Sequence, residues 1–414
     1  MRTLLLGISI FIASFTYAQN RCVSTDYIQL QFIQDPDLKE RVNSIESFIK
    51  YQKNNSLAQG RLDGNVTFRI PVVVHVLYNS AGQNISDQQI LSQIDALNRD
   101  FRRKNPDTVN TPHSFKTHAA DIHLEFGLAT SDPVGRPTTG VVRRHTSVSY
   151  WQMDDKIKYA SQGGDDAWDS RYYLNIWVGN MIGLLGYSSL PGCSPATDGI
   201  VITTSVFGTT NVSAPYNLGR TAVHETGHWL GLKHIWGDTY CGDDLVDDTP
   251  KQGNFTSGCP GKFRSSCDNG PDGDMYMNYM DFTDDGCLNL FTAGQKQRML
   301  SLFNDGGPRA SLLNSRGLDQ PWTKPDTVLN EIPTAAKYVI YPNPAANELT
   351  INFDTDQSWI NKKLSIINMN GSVIHTQIIT SSQQKINISA IPPGIYFIRS
   401  ANGTTNLVQK FVKN

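Results

Sequence analysis

The chain has 414 residues, with 36 Lys and Arg against 38 Asp and Glu, a formal charge of −2. That balance argues against a nucleic-acid or other polyanionic partner, and the length leaves room for two or three domains with a large core. The apolar run Leu4 to Phe15 is too short to span a bilayer and no longer one follows, so the mature protein is expected to lack a transmembrane segment.

From the amino terminus, Met1-Arg2 supplies a positive charge ahead of that run, and Thr16-Tyr17-Ala18 offers a small-residue cleavage site before Gln19. Residues 1–18 therefore read as an export signal that is removed. Residues 19–62 are polar and helix-prone, with Val42, Ile45, Phe48 and Ile49 at helical spacing. Too little of this segment is apolar for it to fold alone, and it reads as a propeptide. Cys22, in "NRCVSTD", is a thiol that, as thiolate, is a good zinc ligand and would close an open coordination position. A Cys22–Cys193 disulfide, or two idle thiols, is the alternative.

The catalytic-type region is expected over residues 63–315. "VTFRIPVVVHVLYN" (Val66 to Asn79) reads as a buried β-branched strand, with His75 a packed or hydrogen-bonded residue. An amphipathic helix follows, with Ser86 or Asp87 as its N-cap. "IHLEFGLAT", "YYLNIWVG" and "DGIVITTSVFG" read as further strands. His113, His118, His123 and His145 share no ligand spacing and read as structural or surface residues. Strands alternating with helices argue for an α/β (α+β) layer on a twisted mixed sheet. Ile182 to Ser189 is a candidate edge on which an extended peptide adds itself, with Leu184, Leu185, Gly186 and Tyr187 as substrate-binding positions; a surface loop is the alternative.

The densest chemistry lies in "TAVHETGHWLGLKH". His224 and His228 stand four apart and share one face of a helix. Glu225 sets a carboxylate beside them, Gly231 permits the chain to leave the helix, and His234 returns as a third imidazole. Three neutral imidazoles leave one tetrahedral position of zinc open, the arrangement of a catalytic site. Next comes an acidic loop with Asp238, Asp243, Asp244, Asp247 and Asp248. Such crowding suits calcium, a solvated loop being the alternative. Met280 in a tight turn would make a polarisable floor under the imidazoles. Asp284 and Asp285 nearby are candidates to favour a basic side chain of a bound peptide. "FTAGQKQRMLSLFND" reads as a closing helix. In an exported protein, Cys241, Cys259, Cys267 and Cys287 suggest two disulfides, with three pairings open.

From Arg316 the composition shifts to a linker (316–335), followed over 336–414 by short alternating strands separated by Asn-Gly and Pro-Pro-Gly turns: an all-β sandwich. His375 within it reads as structural.

Taken together, the H-E-x-x-H-x-x-G-x-x-H stretch, Met280 and the cysteine cluster make residues Val66 to Ser315 resemble the pappalysin family of metzincins, and within it the ulilysin- and cytophagalysin-like members. The resemblance implies an endopeptidase with zinc on His224, His228 and His234 and with Glu225 as general base. It also implies disulfides Cys241–Cys267 and Cys259–Cys287. Calcium is implied at Asp244, Asp247 and Thr249, and a zinc-capping propeptide cysteine at Cys22. One position departs from the family: a tyrosine is common two residues after the methionine, and here it is Phe282. Either Tyr279 or another donor compensates, or the enzyme is slower, or transition-state help comes from zinc alone. The last 80 or so residues resemble the C-terminal sorting domain of the type IX secretion system, through Tyr341-Pro342-Asn343-Pro344-Ala345, Pro393-Gly394-Ile395-Tyr396 and Lys410-Phe411-Val412-Lys413. That implies export through a Gram-negative outer membrane to the medium or the cell surface, with the secretion machinery as a partner. The expectation is a secreted zinc endopeptidase made as a zymogen and acting on proteins or peptides. The rivals are a zinc-containing secreted binding or adhesion protein with little or no proteolytic activity, and a zinc hydrolase of non-peptide amides.

Overall fold

The computed structural model describes residues 20–54, 66–261, 263–322, 338–353, 356–368, 372–402 and 406–414. The expected export signal, the end of the expected propeptide (55–62) and residues 323–335 of the expected linker lie outside the described residues. The chain divides into two units, Met1–Lys324 and Pro325–Asn414.

The amino-terminal segment of the first unit carries β1 (Asn20–Cys22), α1 (Ser24–Gln34) and α2 (Leu38–Asn54). Then come β2 (Phe68–Tyr78), α3 (Asp87–Phe101), β3 (Leu124–Leu128), β4 (Val141–His145), β5 (Leu174–Gly179), β6 (Leu184–Ser188) and β7 (Ile200–Thr203). Two further helices complete it, α4 (Arg220–Trp229) and α5 (Ala293–Ser301). Among the described residues these strands form one sheet in the order β1-β6-β7-β5-β2-β3, with β4 beside the second half of β2. Every pairing is parallel except β6 with β7, so the sheet is mixed.

The central strand β2 is buried from Ile70 to Leu77, as a parallel strand covered on both faces must be. His75 is fully buried there, bonded to Asp165 through Nδ1 (2.7 Å) and to Asn175 through Nε2 (3.0 Å). α3 is capped by Ser86, whose hydroxyl accepts from the Gln89 N–H at 3.1 Å, and it buries Ile90, Ile94, Leu97 and Phe101 on one face. The polar residues of that face are paired too: Gln93 holds the backbone at Gly208 and Gly219, and Asp100 takes the Arg220 guanidinium.

α2 was legible from its spacing, whereas β1 and α1 had no periodic signal. The amino-terminal segment leans on the rest of the unit: Glu46 pairs with Arg298 of α5, and Lys53 with Asp247 at 2.5 Å. Residues 316–322, expected as the start of a linker, are strapped to the sheet end. Thr130 and Ser131 donate to the Asp319 carbonyl, and Trp322 N–H donates to Gly135.

The second unit contains β8 (Val339–Tyr341), β9 (Glu348–Asn352), β10 (Lys363–Asn368), β11 (Val373–Ile378), β12 (Gln383–Asn387), β13 (Gly394–Ala401) and β14 (Asn406–Lys413). They form two antiparallel sheets, β11-β10-β13-β14 and β12-β9-β8, around Leu349, Ile351, Trp359, Ile366, Ile398 and Phe411.

Candidate active site

All ten residues of α4 are buried. The helix is held from its first residue, because Arg220 pairs with Asp100 at 3.1 Å and with Asp107 at 2.6 Å. His224 and His228, one turn apart, present their rings on the same face. The helix then breaks at Gly231, whose φ of +79° favours glycine, and Leu232 N–H bonds back to the Gly227 carbonyl at 2.9 Å. The turn delivers His234 to the same place.

Nε2 of His228 lies 3.1 Å from Nε2 of His224 and 3.1 Å from Nε2 of His234. Each Nδ1 faces an acceptor: the Tyr279 carbonyl (2.7 Å) for His224, the Leu232 carbonyl (2.9 Å) for His228, and the Asp238 carboxylate (2.5 Å) for His234. Since Nδ1 must carry the proton in each ring, three Nε2 lone pairs converge on one point. Lone pairs so arranged repel unless a cation lies between them. Tetrahedral ligation at about 2.0–2.1 Å, as in zinc sites, spaces nitrogens about 3.3–3.4 Å apart, so the cradle fits such an ion. Burial and the neighbouring imidazoles hold His224 well below the usual histidine range, and burial with His234 takes His228 down to about 3. His224 and His228 are thus held in the neutral state that ligation requires.

Met280 is fully buried against α4, close enough that a Cβ on Gly227 would come within 2.5 Å of its sulfur. Phe282 forms a wall, its ring centroid 4.9 Å from that of His234 and 4.8 Å from that of Trp236. Tyr279 does not compensate for the missing hydroxyl. Its ring packs 4.8 Å from Phe291 and under Arg220, and its buried hydroxyl finds no hydrogen-bond partner among the described residues. The backbone carbonyl of Tyr279, not its side chain, serves the site.

Glu225 points at the edge strand, where Gly186 leaves space: a Cβ there would sit 3.1 Å from Glu225 Cγ. Burial pushes the Glu225 carboxyl up to about 8, against hydrogen bonds from Cys22 and Ser24 that lower it. Those partners come from the amino-terminal segment. Asn20 pairs opposite Leu184 and Cys22 opposite Gly186, so β1 occupies the free edge of β6. Cys22 Sγ joins the three imidazole nitrogens in one buried cluster, all four atoms within 4.8 Å of one another. Ser24 donates to Glu225 Oε2 at 2.9 Å, and Arg21 pairs with Asp285 at 3.1 Å. Asp285 is not an exposed acid. It is fully buried and also accepts from the N–H groups of Leu218 and Arg220.

This constellation matches known proteins. The peptidase family described as pregnancy-associated plasma protein-A matches residues 158–304, and the secretion system C-terminal sorting domain matches residues 339–414. An extracellular metalloprotease of Pyricularia oryzae is 31% identical over 280 residues, covering 65% of this chain and 87% of the relative. The chain belongs to the pappalysin-type metalloproteases. Two structures of this kind from Tannerella forsythia are similar to it. Mature mirolysin in complex with a cleaved peptide is 48% identical, has a TM-score of 0.59, and covers 60% of this chain and 96% of its own. A promirolysin mutant is 44% identical, has a TM-score of 0.65, and covers 71% and 97%. This pappalysin-type protein is therefore a secreted or surface-located metalloendopeptidase with a type IX sorting domain, and it takes peptide substrates and a catalytic metal. No helix among the described residues is long and apolar enough to cross a membrane.

Elsewhere in this metalloprotease the cysteines pair as Cys241–Cys267 and Cys259–Cys287, while Cys22 and Cys193 are free thiols. The acids after His234 do not gather round one point. Asp238 orients His234, Asp248 accepts from Thr292 and Gly294 at the start of α5, and Asp247 is exposed beside Lys53. Asp244 alone is buried, taking the Thr249 hydroxyl at 2.8 Å; that hydroxyl also lies 2.9 Å from the Val246 carbonyl. Burial raises the Asp244 carboxyl to about 7. Sequence reasoning missed Ser24, Asp238, Gly227 and the pairing of Arg21 with Asp285. Asp238 was read only as one acid of the loop, because beyond the end of α4 no helical spacing ties it to His234; the others carry no local signal.

Proposed function

We propose that this chain is a zinc-dependent endopeptidase made as a latent precursor. The observation that carries the proposal is the convergence of three imidazole Nε2 atoms on a helix that also carries Glu225. His224, His228 and His234 would hold the ion. Zinc bound there supplies Lewis acidity, polarising the scissile carbonyl and bringing the pKa of a water to about 7. Glu225 takes the proton from the attacking water and returns it to the leaving amine. The substrate backbone pairs along Leu184, Leu185, Gly186 and Tyr187, the edge that β1 holds in the precursor. A basic side chain after the cleaved bond sits on Asp285, where Arg21 sits now.

Latency rests on three contacts of one short segment: Cys22 at the metal position, Ser24 on the general base, and Arg21 on Asp285. For calcium, the supporting feature is the buried Asp244 carboxylate with the Thr249 hydroxyl and Val246 carbonyl close by; Asp247 joins only if it leaves Lys53.

The test is hydrolysis of a protein substrate by the processed enzyme and by Glu225→Gln, with bound zinc measured in both. The expected result is a loss of about 10²–10⁴-fold in rate with zinc retained. Equal, chelator-insensitive rates would end this reading and favour the non-enzymatic binding protein.

A further inference from the structure

We propose that Tyr27 fills a phenol-binding pocket of the catalytic region, and that in the processed enzyme this pocket takes a substrate tyrosine on the amino side of the cleaved bond. The proposal rests on the endopeptidase reading above. Tyr27 is 2% exposed, and apart from Gln31 its phenol is met by residues outside the amino-terminal segment. Its hydroxyl donates to Asp155 at 2.8 Å and accepts from Lys158 Nζ at 3.0 Å and from Gln31 Nε2 at 2.6 Å. The ring lies 4.6 Å from the Tyr187 ring, and Lys158 Nζ stands 4.8 Å from its centroid.

Lys158 makes this a built site. Its side chain is fully buried, which a lysine tolerates only when its donors are used. One donor goes to Asp155 at 2.9 Å and one to the Thr197 carbonyl at 2.8 Å, and the third goes to the phenol oxygen. The first two contacts lie wholly within the catalytic region, so they hold the pocket floor in place when the amino-terminal segment departs. The third is then left for another hydroxyl. The proposed hydrolysis uses neither Lys158 nor Asp155.

The pocket adjoins the edge that holds the substrate. Val23 N–H bonds the Gly186 carbonyl at 3.4 Å and Ser24 Oγ accepts from Ser188 N–H at 2.9 Å, on either side of Tyr187. Arg21, on Asp285, precedes Cys22, which is level with the histidines; Val23 to Tyr27 continue past the metal on the other side. A substrate with its basic residue on Asp285 after the cleaved bond therefore places its preceding residues where Val23 to Tyr27 lie. The four helical steps from Val23 to Tyr27 cover about 6 Å, which an extended chain covers in about two residues. Counting Val23 as one residue past the metal, the tyrosine falls about three residues before the bond.

The test uses processed enzyme and quenched peptides with arginine after the scissile bond and tyrosine, phenylalanine or alanine at the second, third or fourth residue before it. A site built to bond a hydroxyl discriminates against the analogue lacking it. The expected result is kcat/KM at least about tenfold higher for tyrosine than for phenylalanine at one of these positions, with the two converging in Lys158→Met. Equal rates at all three positions in the unaltered enzyme would overturn the pocket, whatever the variant does. If no peptide is cleaved, the endopeptidase reading fails and binding alone decides the pocket. A labelled peptide of residues 23–34, which lacks both Arg21 and Cys22, should then bind at least about fivefold more tightly than its Tyr27→Phe form. Equal binding would overturn the proposal.

Discussion

Replacing Arg21 by alanine should make the precursor leak activity. The Arg21–Asp285 pair is buried on both sides, 3% and 0% exposed, at 3.1 Å. Breaking a buried pair by removing one partner costs about 3–5 kcal/mol. Two features lower that figure here. Asp285 keeps the N–H groups of Leu218 and Arg220, so its carboxylate is not abandoned. Among the described residues Arg21 Nε and Nη1 find no hydrogen-bond partner, so its own desolvation is only partly repaid. About 2 kcal/mol of docking free energy remains, and since 1.4 kcal/mol is tenfold, the open fraction should rise about 30-fold. The assay is initial-rate hydrolysis of a quenched peptide by freshly purified precursor, with its intact length checked on a gel. Arg21→Lys, which keeps the charge, should stay closer to the parent. An alanine variant as silent as the parent, or a lysine variant as leaky as alanine, would refute the reasoning.

Asp238→Ala should weaken metal retention about 10–100-fold, because the carboxylate orients His234; an unchanged chelator midpoint would contradict this. Phe282→Tyr should raise kcat about tenfold or more with little change in KM, by restoring an oxyanion donor beside His224 and His234. Unchanged kcat would mean the ring position does not reach the reacting carbonyl. For Asp244 the folded-state pKa is raised, from 3.8 to about 7, so the native state holds a proton that the unfolded chain releases. Its contribution to stability is therefore present below about pH 4 and is lost as pH climbs to 7. In EGTA, the Tm of the parent minus that of Asp244→Asn should fall across that window, and calcium at pH 8 should restore the parent only. A difference that is flat with pH would remove Asp244 as the cause.

The metal cradle was legible because its signals are local. Spacing of four residues puts His224 and His228 on one helical face, and a glycine just beyond lets the chain turn, so the third imidazole follows from short-range geometry. The strand β2, the capped helix α3 and the closing helix α5 were readable for the same reason, each being a periodic pattern with a cap or a run of β-branched residues. The acidic loop was less legible, because charge density in sequence says nothing about where each carboxylate turns. Asp238, Asp247 and Asp248 go to three different partners.

By itself the amino-acid sequence determined which three histidines come together, the division between a mixed α/β unit and a β sandwich, and the secretory destination, since each is encoded within short contiguous stretches. Only the tertiary structure showed that Ser24 and Arg21 join Cys22 at the site. Ser24 meets Glu225 across 201 residues and Arg21 meets Asp285 across 264. Contacts at such separation are made by the packing of β1 on β6 and leave no periodicity to read.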